Sequence, residues 1–182
     1  EMRVIAGAYK GLPLKTIPSN ATRPTSDKVK ESLFQMLGPF FPEGRILDLY
    51  GGSGAIAIEA VSRGMDFGVI VETHPKAQEI IKENIMKTKQ PEKFSLLSMS
   101  ARNALNQPLE PFDLVFLDPP YADQTLEEDL KILAQNKLVN PGRIVVCETD
   151  AEVFLPEKVL TFELITEKNY GKTKLYFYRN ED

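Results

Sequence analysis

From Arg45 onward the chain alternates short apolar runs with segments of helical period, and this alternation restricts it to very few folds. The apolar runs are Ile46 to Tyr50, Phe67 to Val71, Phe94 to Leu97, Leu114 to Leu117 and Arg143 to Glu148. Between them lie a helix after Gly54, one from Pro75 to about Lys87, a short one after Ser100 and one from Thr125 to Gln135. Several runs are apolar on both faces, which specifies a parallel sheet covered by helices on both sides. The tail differs: Thr161 to Thr166 and Lys174 to Tyr178 flank Asn169-Tyr170-Gly171 and read as a hairpin returning antiparallel. The expected fold is therefore α/β and Rossmann-like, a mostly parallel seven-stranded sheet ending in an antiparallel hairpin.

Residues 1–40 do not follow the alternation. Met2 to Ala6 and Leu12 to Ile17 flank a glycine-bounded turn, Gly7 to Gly11, and read as a β-hairpin. After a loop from Pro18 to Pro24, Thr25 or Ser26 caps a helix with Val29, Leu33, Met36 and Leu37 on one face, ended by Gly38-Pro39. At 182 residues and 42% apolar content the chain makes one compact unit, with 1–40 as an extension and 41–182 as the Rossmann-like body.

The extension also differs in charge. Its first 30 residues hold Arg3, Lys10, Lys15, Arg23, Lys28 and Lys30 against Glu1 and Asp27, a net +4, which leaves −8 on the remainder of a chain whose total is −4. A basic segment on an acidic body is the asymmetry of a protein that turns one face to a polyanion. Arg3, Lys10, Arg23 and Lys28 are the expected phosphate contacts. A solvated arm has the same charge pattern.

No apolar stretch approaches the roughly 18 residues of a membrane helix, and residues 1–10 lack an apolar leader. Met2, preceded only by Glu1, reads as the initiator. The single Cys147 lies in an apolar run, with no partner for a disulfide or a zinc site. A soluble cytoplasmic protein without a metal is expected. His74, just before Pro75 at a helix start, reads as a solvated residue.

Two motifs carry chemistry. In Asp48-Leu49-Tyr50-Gly51-Gly52-Ser53-Gly54-Ala55-Ile56-Ala57, residues Gly52, Gly54 and Ala57 fit G-x-G-x-x-A between a strand and a helix, and Glu72 follows Gly52 by 20 residues at the end of the next strand. Strand, glycine turn, helix, strand and acid describe an adenosine-type cofactor site, with the acid on the ribose hydroxyls. Asp48, just before the turn, would repel a pyrophosphate but accept hydrogen bonds from an ammonium group, which favours S-adenosyl-L-methionine over a dinucleotide without deciding it.

The second motif is Asp118-Pro119-Pro120-Tyr121, directly after the strand Leu114 to Leu117 and hence at the carboxyl edge where open α/β sheets bind substrates. Two prolines stiffen the turn and remove local donors, so the Pro119 carbonyl and the Asp118 carboxylate can converge on an exocyclic NH₂. They would steer its lone pair toward an electrophile and offset the positive charge that develops. Tyr121 would stack on the base.

The chain also carries Arg3-Val4-Ile5-Ala6-Gly7, Lys10-Gly11, the stretch Thr22-Arg23-Pro24-Thr25-Ser26-Asp27-Lys28-Val29-Lys30-Glu31-Ser32-Leu33-Phe34, and Tyr170-Gly171. With the two motifs above, these make it resemble, over nearly its whole length, the RsmD-type 16S rRNA (guanine-N2) methyltransferases, class I S-adenosylmethionine enzymes. The resemblance implies direct in-line methyl transfer to N2 of guanine 966, within the 30S subunit or an assembly intermediate, with no metal and no covalent enzyme intermediate. It assigns Asp118, Pro119, Pro120 and Tyr121 to the target base. Asp48, Gly51, Gly52, Ser53, Gly54 and Glu72 go to the cofactor, and Arg23 and Thr25 close over its methionine end. Ser100 and Ala101 stand where the family commonly has Asp-Ala at the adenine, and Gly51 where it usually has Ala. The competing readings are a DNA adenine-N6 methyltransferase, a dinucleotide-dependent oxidoreductase and a catalytically idle RNA-binding module.

Overall fold

The computed structural model describes residues 2–17, 26–120 and 122–182, the side chains of 122–124 excepted. Strands β1 (Met2–Arg3) and β2 (Pro13–Leu14) pair antiparallel and are followed by α1 (Asp27–Leu37). Then β3 (Arg45–Asp48), α2 (Ala55–Ser62), β4 (Phe67–Val71), α3 (Pro75–Lys87), β5 (Phe94–Leu97), α4 (Ala101–Leu105), β6 (Phe112–Leu117) and α5 (Ala122–Gln135) alternate. Four strands close the chain: β7 (Val139–Asp150), β8 (Lys158–Val159), β9 (Phe162–Asn169) and β10 (Thr173–Asn180). The main sheet runs β5-β4-β3-β6-β7-β10-β9-β8, parallel from β5 to β7 and antiparallel beyond.

This is the expected Rossmann-like architecture with one strand more than the seven read from the sequence. The addition, β8, is two residues long and extends the edge beside β9. The chain moves outward from β3 to β4 and β5, then returns to lay β6 and β7 on the other side of β3. The order therefore reverses between β3 and β6, and ligands bind such sheets in the crevice at that reversal.

Strand residues alternate between two cores. Ile46, Ile70, Leu114, Phe116, Val146, Leu175 and Phe177 pack with α1, α2 and α3. Leu47, Val69, Val115, Leu117, Val145, Tyr176 and Tyr178 pack with α4 and α5, and Cys147 is buried among them. Ser26 caps α1 by accepting from the Val29 N–H (3.2 Å).

The β1–β2 hairpin is much shorter than the apolar runs suggest, because a side chain takes over its backbone donors. Glu59 of α2, fully buried, accepts from the N–H groups of Ile5 (3.0 Å) and Ala6 (3.1 Å). The same carboxylate pairs with Arg63 (2.8 Å) and with Lys30 of α1 (3.3 Å), whose ammonium also donates to the Arg3 carbonyl (2.9 Å). Burial pushes the Lys30 ammonium below its ordinary pKa, and Glu59 opposes that shift. A buried charge cluster thus helps to lock the extension to the body.

Candidate active site

The turn after β3 is shaped by close approaches. Gly51 N–H donates to the Val71 carbonyl and Gly54 N–H to that of Gly51, both at 2.8 Å. Gly54 then opens α2 with φ +82°, a backbone angle that favours glycine. A Cβ on Gly51 would sit 2.3 Å from the Ile70 Cγ2 methyl. The departure from the family's Ala is therefore more than a freeing of backbone, because Ile70 fills the space an alanine needs. At Gly52 (φ +58°) an added Cβ would face open space.

Glu72 lies across this turn. One oxygen accepts from Gly52 N–H (2.9 Å), the other from the N–H groups of Thr73 (3.0 Å) and His74 (2.9 Å). His74 is exposed and its side chain makes no capping bond to α3. A residue that sequence reasoning missed holds the turn from the other side: the buried Asn84 of α3 donates to the carbonyls of Ser53 (2.9 Å) and Lys15 (3.0 Å) and accepts from the Lys15 N–H (2.9 Å). A buried amide on the apolar face of α3 was its only signal.

Asp48 is the last residue of β3 and is 1% exposed. Burial pushes its carboxyl well above the usual carboxylate range, Glu72 and Glu148 push in the same direction, and a backbone hydrogen bond from Ala57 opposes them. Its Oδ1 is buried without a hydrogen-bond partner. An unpaired buried acceptor at the mouth of a glycine turn is a costly arrangement that a cationic amine would relieve.

Ser100 caps α4, its Oγ accepting from Asn103 N–H (3.1 Å), so its hydroxyl hydrogen is the readier group to offer an adenine. Ala101 begins the helix beside it. Beneath these loops, fully buried Asp129 of α5 accepts from the Tyr50 hydroxyl (2.5 Å) and from Arg102 Nε (3.0 Å). This carboxylate ties the glycine turn, α4 and the helix after Pro120 into one unit. Its sequence signal was an acid on the apolar stripe Leu126, Leu130 and Leu133.

Asp118 follows β6 directly and is half-buried, Pro119 is buried and Pro120 is exposed. Asp118 is engaged in a polar contact. Because Asp48 pairs in register with Phe116, Asp118 stands just beyond Asp48 on the neighbouring strand, at the reversal point of the sheet. The carboxyl edge thus gathers Asp48, Gly51, Gly52, Ser53, Gly54, Glu72, Ser100, Ala101, Asp118 and Pro119. Arg23, Thr25 and Tyr121 lie outside the described residues.

The basic arm is not a single face. Ala8 N–H donates to the carbonyl of Ser62, the last residue of α2, so the turn bearing Lys10 lies at the opposite edge of the sheet from the glycine turn. Arg3 is exposed and donates to the Gly11 carbonyl (3.0 Å). Lys30 is buried and Lys15 pairs with Glu83 (3.0 Å), so part of the counted surplus is consumed internally. Lys28 is exposed in the first turn of α1.

The family described as Conserved hypothetical protein 95 matches residues 2–179. This chain belongs to that family. The Conserved hypothetical protein 95 match spans the hairpin, α1, both motif-bearing strands and the final hairpin, the same stretches that carry the RsmD-type resemblance. A Haemophilus influenzae relative, Ribosomal RNA small subunit methyltransferase D, is 32% identical, with 99% of this chain and 94% of the relative covered. The protein of the same name from Escherichia coli K12 is 30% identical, over 100% of this chain and 91% of its own length. Among solved structures, a conserved hypothetical protein of Streptococcus pyogenes is 48% identical and superposes with a TM-score of 0.81, covering 84% of this chain and 96% of that one.

Proposed function

We propose that this chain transfers the methyl group of S-adenosylmethionine to the exocyclic N2 of a guanine in 16S ribosomal RNA, at guanine 966, in the cytoplasm and on the 30S subunit or its precursor. The observation that carries the reading is the pair of carboxylates on adjacent strands at the reversal point. Asp48 has an orphaned oxygen suited to an ammonium group, and Asp118 leads a diproline turn suited to an exocyclic amine. The relatives named for ribosomal RNA methylation support the substrate class.

The residues present fit the cofactor. Asp48 would take its amino group, the bare Gly52 backbone would allow close approach, and Glu72 would reach the ribose while holding the turn. Ser100 and Ala101 would border the adenine, with Arg23 and Thr25 covering the methionine end. When bound, the cofactor supplies a methyl group activated by a sulfonium. Asp118 and the Pro119 carbonyl accept hydrogen bonds from the two N2 hydrogens and aim its lone pair, and the Asp118 carboxylate offsets the cation that forms and takes the proton it sheds to become neutral N2-methylguanine. Pro120 stiffens the turn, and Tyr121 stacks on the guanine once it has left its stack, an extrusion that costs a few kcal/mol.

Asp48 yields a prediction with a worked sign. Its folded-state pKa is raised above the unfolded value of about 3.9, so its stabilising contribution is present in acid and lost as pH rises through the folded value. Asp48→Asn should therefore raise the melting temperature of the cofactor-free protein near neutral pH, by roughly 2–4 °C per kcal/mol relieved, with the gain vanishing in acid. It should also weaken S-adenosylmethionine binding by about 1.5–3 kcal/mol, the scale of a hydrogen bond to a charged group. Melting curves across pH, with calorimetric titration of the cofactor, measure both.

The activity itself is tested by incubating the protein with methyl-labelled S-adenosylmethionine and 16S rRNA or 30S particles, then digesting to nucleosides. Label in N2-methylguanosine is the expected result. Label only in N6-methyladenine of a DNA duplex would move the assignment to the DNA enzyme.

A further inference from the structure

We infer that the RNA flanking the target base docks on a lysine cluster formed by Lys28 of α1 with Lys168 near the end of β9 and Lys172 of the β9–β10 turn; this rests on the proposed rRNA substrate. The carboxyl edge is divided. The proposed cofactor residues Asp48, Gly51 to Gly54, Glu72 and Ser100 take the half formed by β3, β4 and β5. A nucleic acid strand reaching Asp118 at the end of β6 is left the other half, where β7 ends and β10 begins. There Asp150 pairs with Thr173, and Ala151 N–H donates to the Lys172 carbonyl (3.0 Å).

Helix α1 of the N-terminal extension packs on the β7–β10 side of the sheet, and a polar contact at the carboxyl edge fixes its position there. The hydroxyls of Ser32 and Tyr170 meet at 2.5 Å, fastening α1 to the β9–β10 turn. Lys28 is one helical turn before Ser32 on the same face of α1, and Lys168 and Lys172 lie two residues to either side of Tyr170. All three lysines are exposed. Of the neighbouring acids, Glu167 is paired with Lys174 at 3.6 Å, Asp150 is engaged in an interaction of its own, and Asp27 stands at the α1 N-terminus, where the helix dipole takes up its charge; exposed Glu31 is the acid on α1 that Lys28 must outweigh. Two other cations of the C-terminal hairpin serve elsewhere: Lys174 is buried over the rings of Phe154 and Tyr176, and Arg179 pairs with Ile144 toward the opposite edge. Lys10 also lies at that opposite edge.

The cluster supplies what an acidic body needs to hold a polyanion, cations placed beside the reacting base. The test measures binding of protein-free 16S rRNA across a salt series, for the wild type, a Lys168→Glu/Lys172→Glu double variant, Lys28→Glu and Lys10→Glu. Removing one lysine–phosphate pairing should flatten the salt slope by about 0.7–0.9. The double variant and Lys28→Glu should flatten it and raise the KM for rRNA about tenfold or more, with calorimetric S-adenosylmethionine affinity and melting temperature unchanged. Lys10→Glu should leave the slope as it is. An unchanged slope in the double variant overturns the inference. So does slower transfer to 30S particles with undiminished binding of naked RNA, which would assign the surface to a protein partner. Because the salt series reads binding directly, it answers even where methyl transfer fails, and a wild type that methylates no rRNA would count against the proposed function instead.

Discussion

Asp118→Ala is expected to lower the single-turnover rate of methyl transfer by about 10²–10³, leaving cofactor affinity and melting temperature close to wild type. The residue lies beyond the last paired residue of β6, half-buried at the rim and outside the ladder that holds the sheet. What the substitution removes is a charged acceptor aimed at a nitrogen that becomes cationic during attack. Asp118→Asn should fall between the two, since its amide oxygen still accepts a hydrogen bond but carries no charge. Rates across the series, measured at saturating S-adenosylmethionine, decide the matter. An Ala variant within a few-fold of wild type would remove Asp118 from the chemistry.

The second large effect is on stability. Glu59→Ala should cost about 3–5 kcal/mol, because it leaves Lys30 and Arg63 buried with no counter-charge and strips the Ile5 and Ala6 N–H groups of their acceptor. For a domain of this size that is a fall in melting temperature of roughly 6–20 °C. Hydrogen exchange gives a more specific signature: the Ile5 and Ala6 amides should lose protection before the central strands do. Glu59→Gln, which keeps an acceptor, should retain part of that protection. Full protection of both amides in the Ala variant would show that the hairpin holds without the cluster.

How legible the molecule was in its sequence depended on the length scale of the force involved. The alternation from Arg45 onward names the β3 to β7 strands and the helices between them, because runs of four or more residues leave a periodic imprint. The α3 helix could be placed from Pro75, which presets the first helical turn, to Lys87, where the structure ends it. A two-residue strand such as β8 has no period to read. The retreat of the β1–β2 hairpin was likewise invisible, since its cause is a carboxylate 54 residues from Ile5.

Charge was the least legible property. The +4 counted over the first 30 residues includes Lys30, which the fold buries against Glu59. The signal was available in part: Glu59 is the one acid in the otherwise apolar run from Ala55 to Val61, and an acid in such a run needs a partner. Asp129 and Asn84 are the same kind of residue on α5 and α3. The site motifs themselves were readable because each couples a short backbone geometry to its chemistry, a glycine turn after one strand and a diproline turn after its neighbour. That these strands are adjacent follows only from the order of the sheet.

The proposed activity of this chain is methylation of N2 of a guanine in small-subunit ribosomal RNA. It is tested most directly by mass mapping of methylated guanines in 16S rRNA from cells with the gene, cells lacking it, and cells carrying Asp118→Ala. One N2-methylguanine, at the proposed guanine 966, should be present in the first and absent from the other two. An identical guanine methylation profile in all three would contradict it.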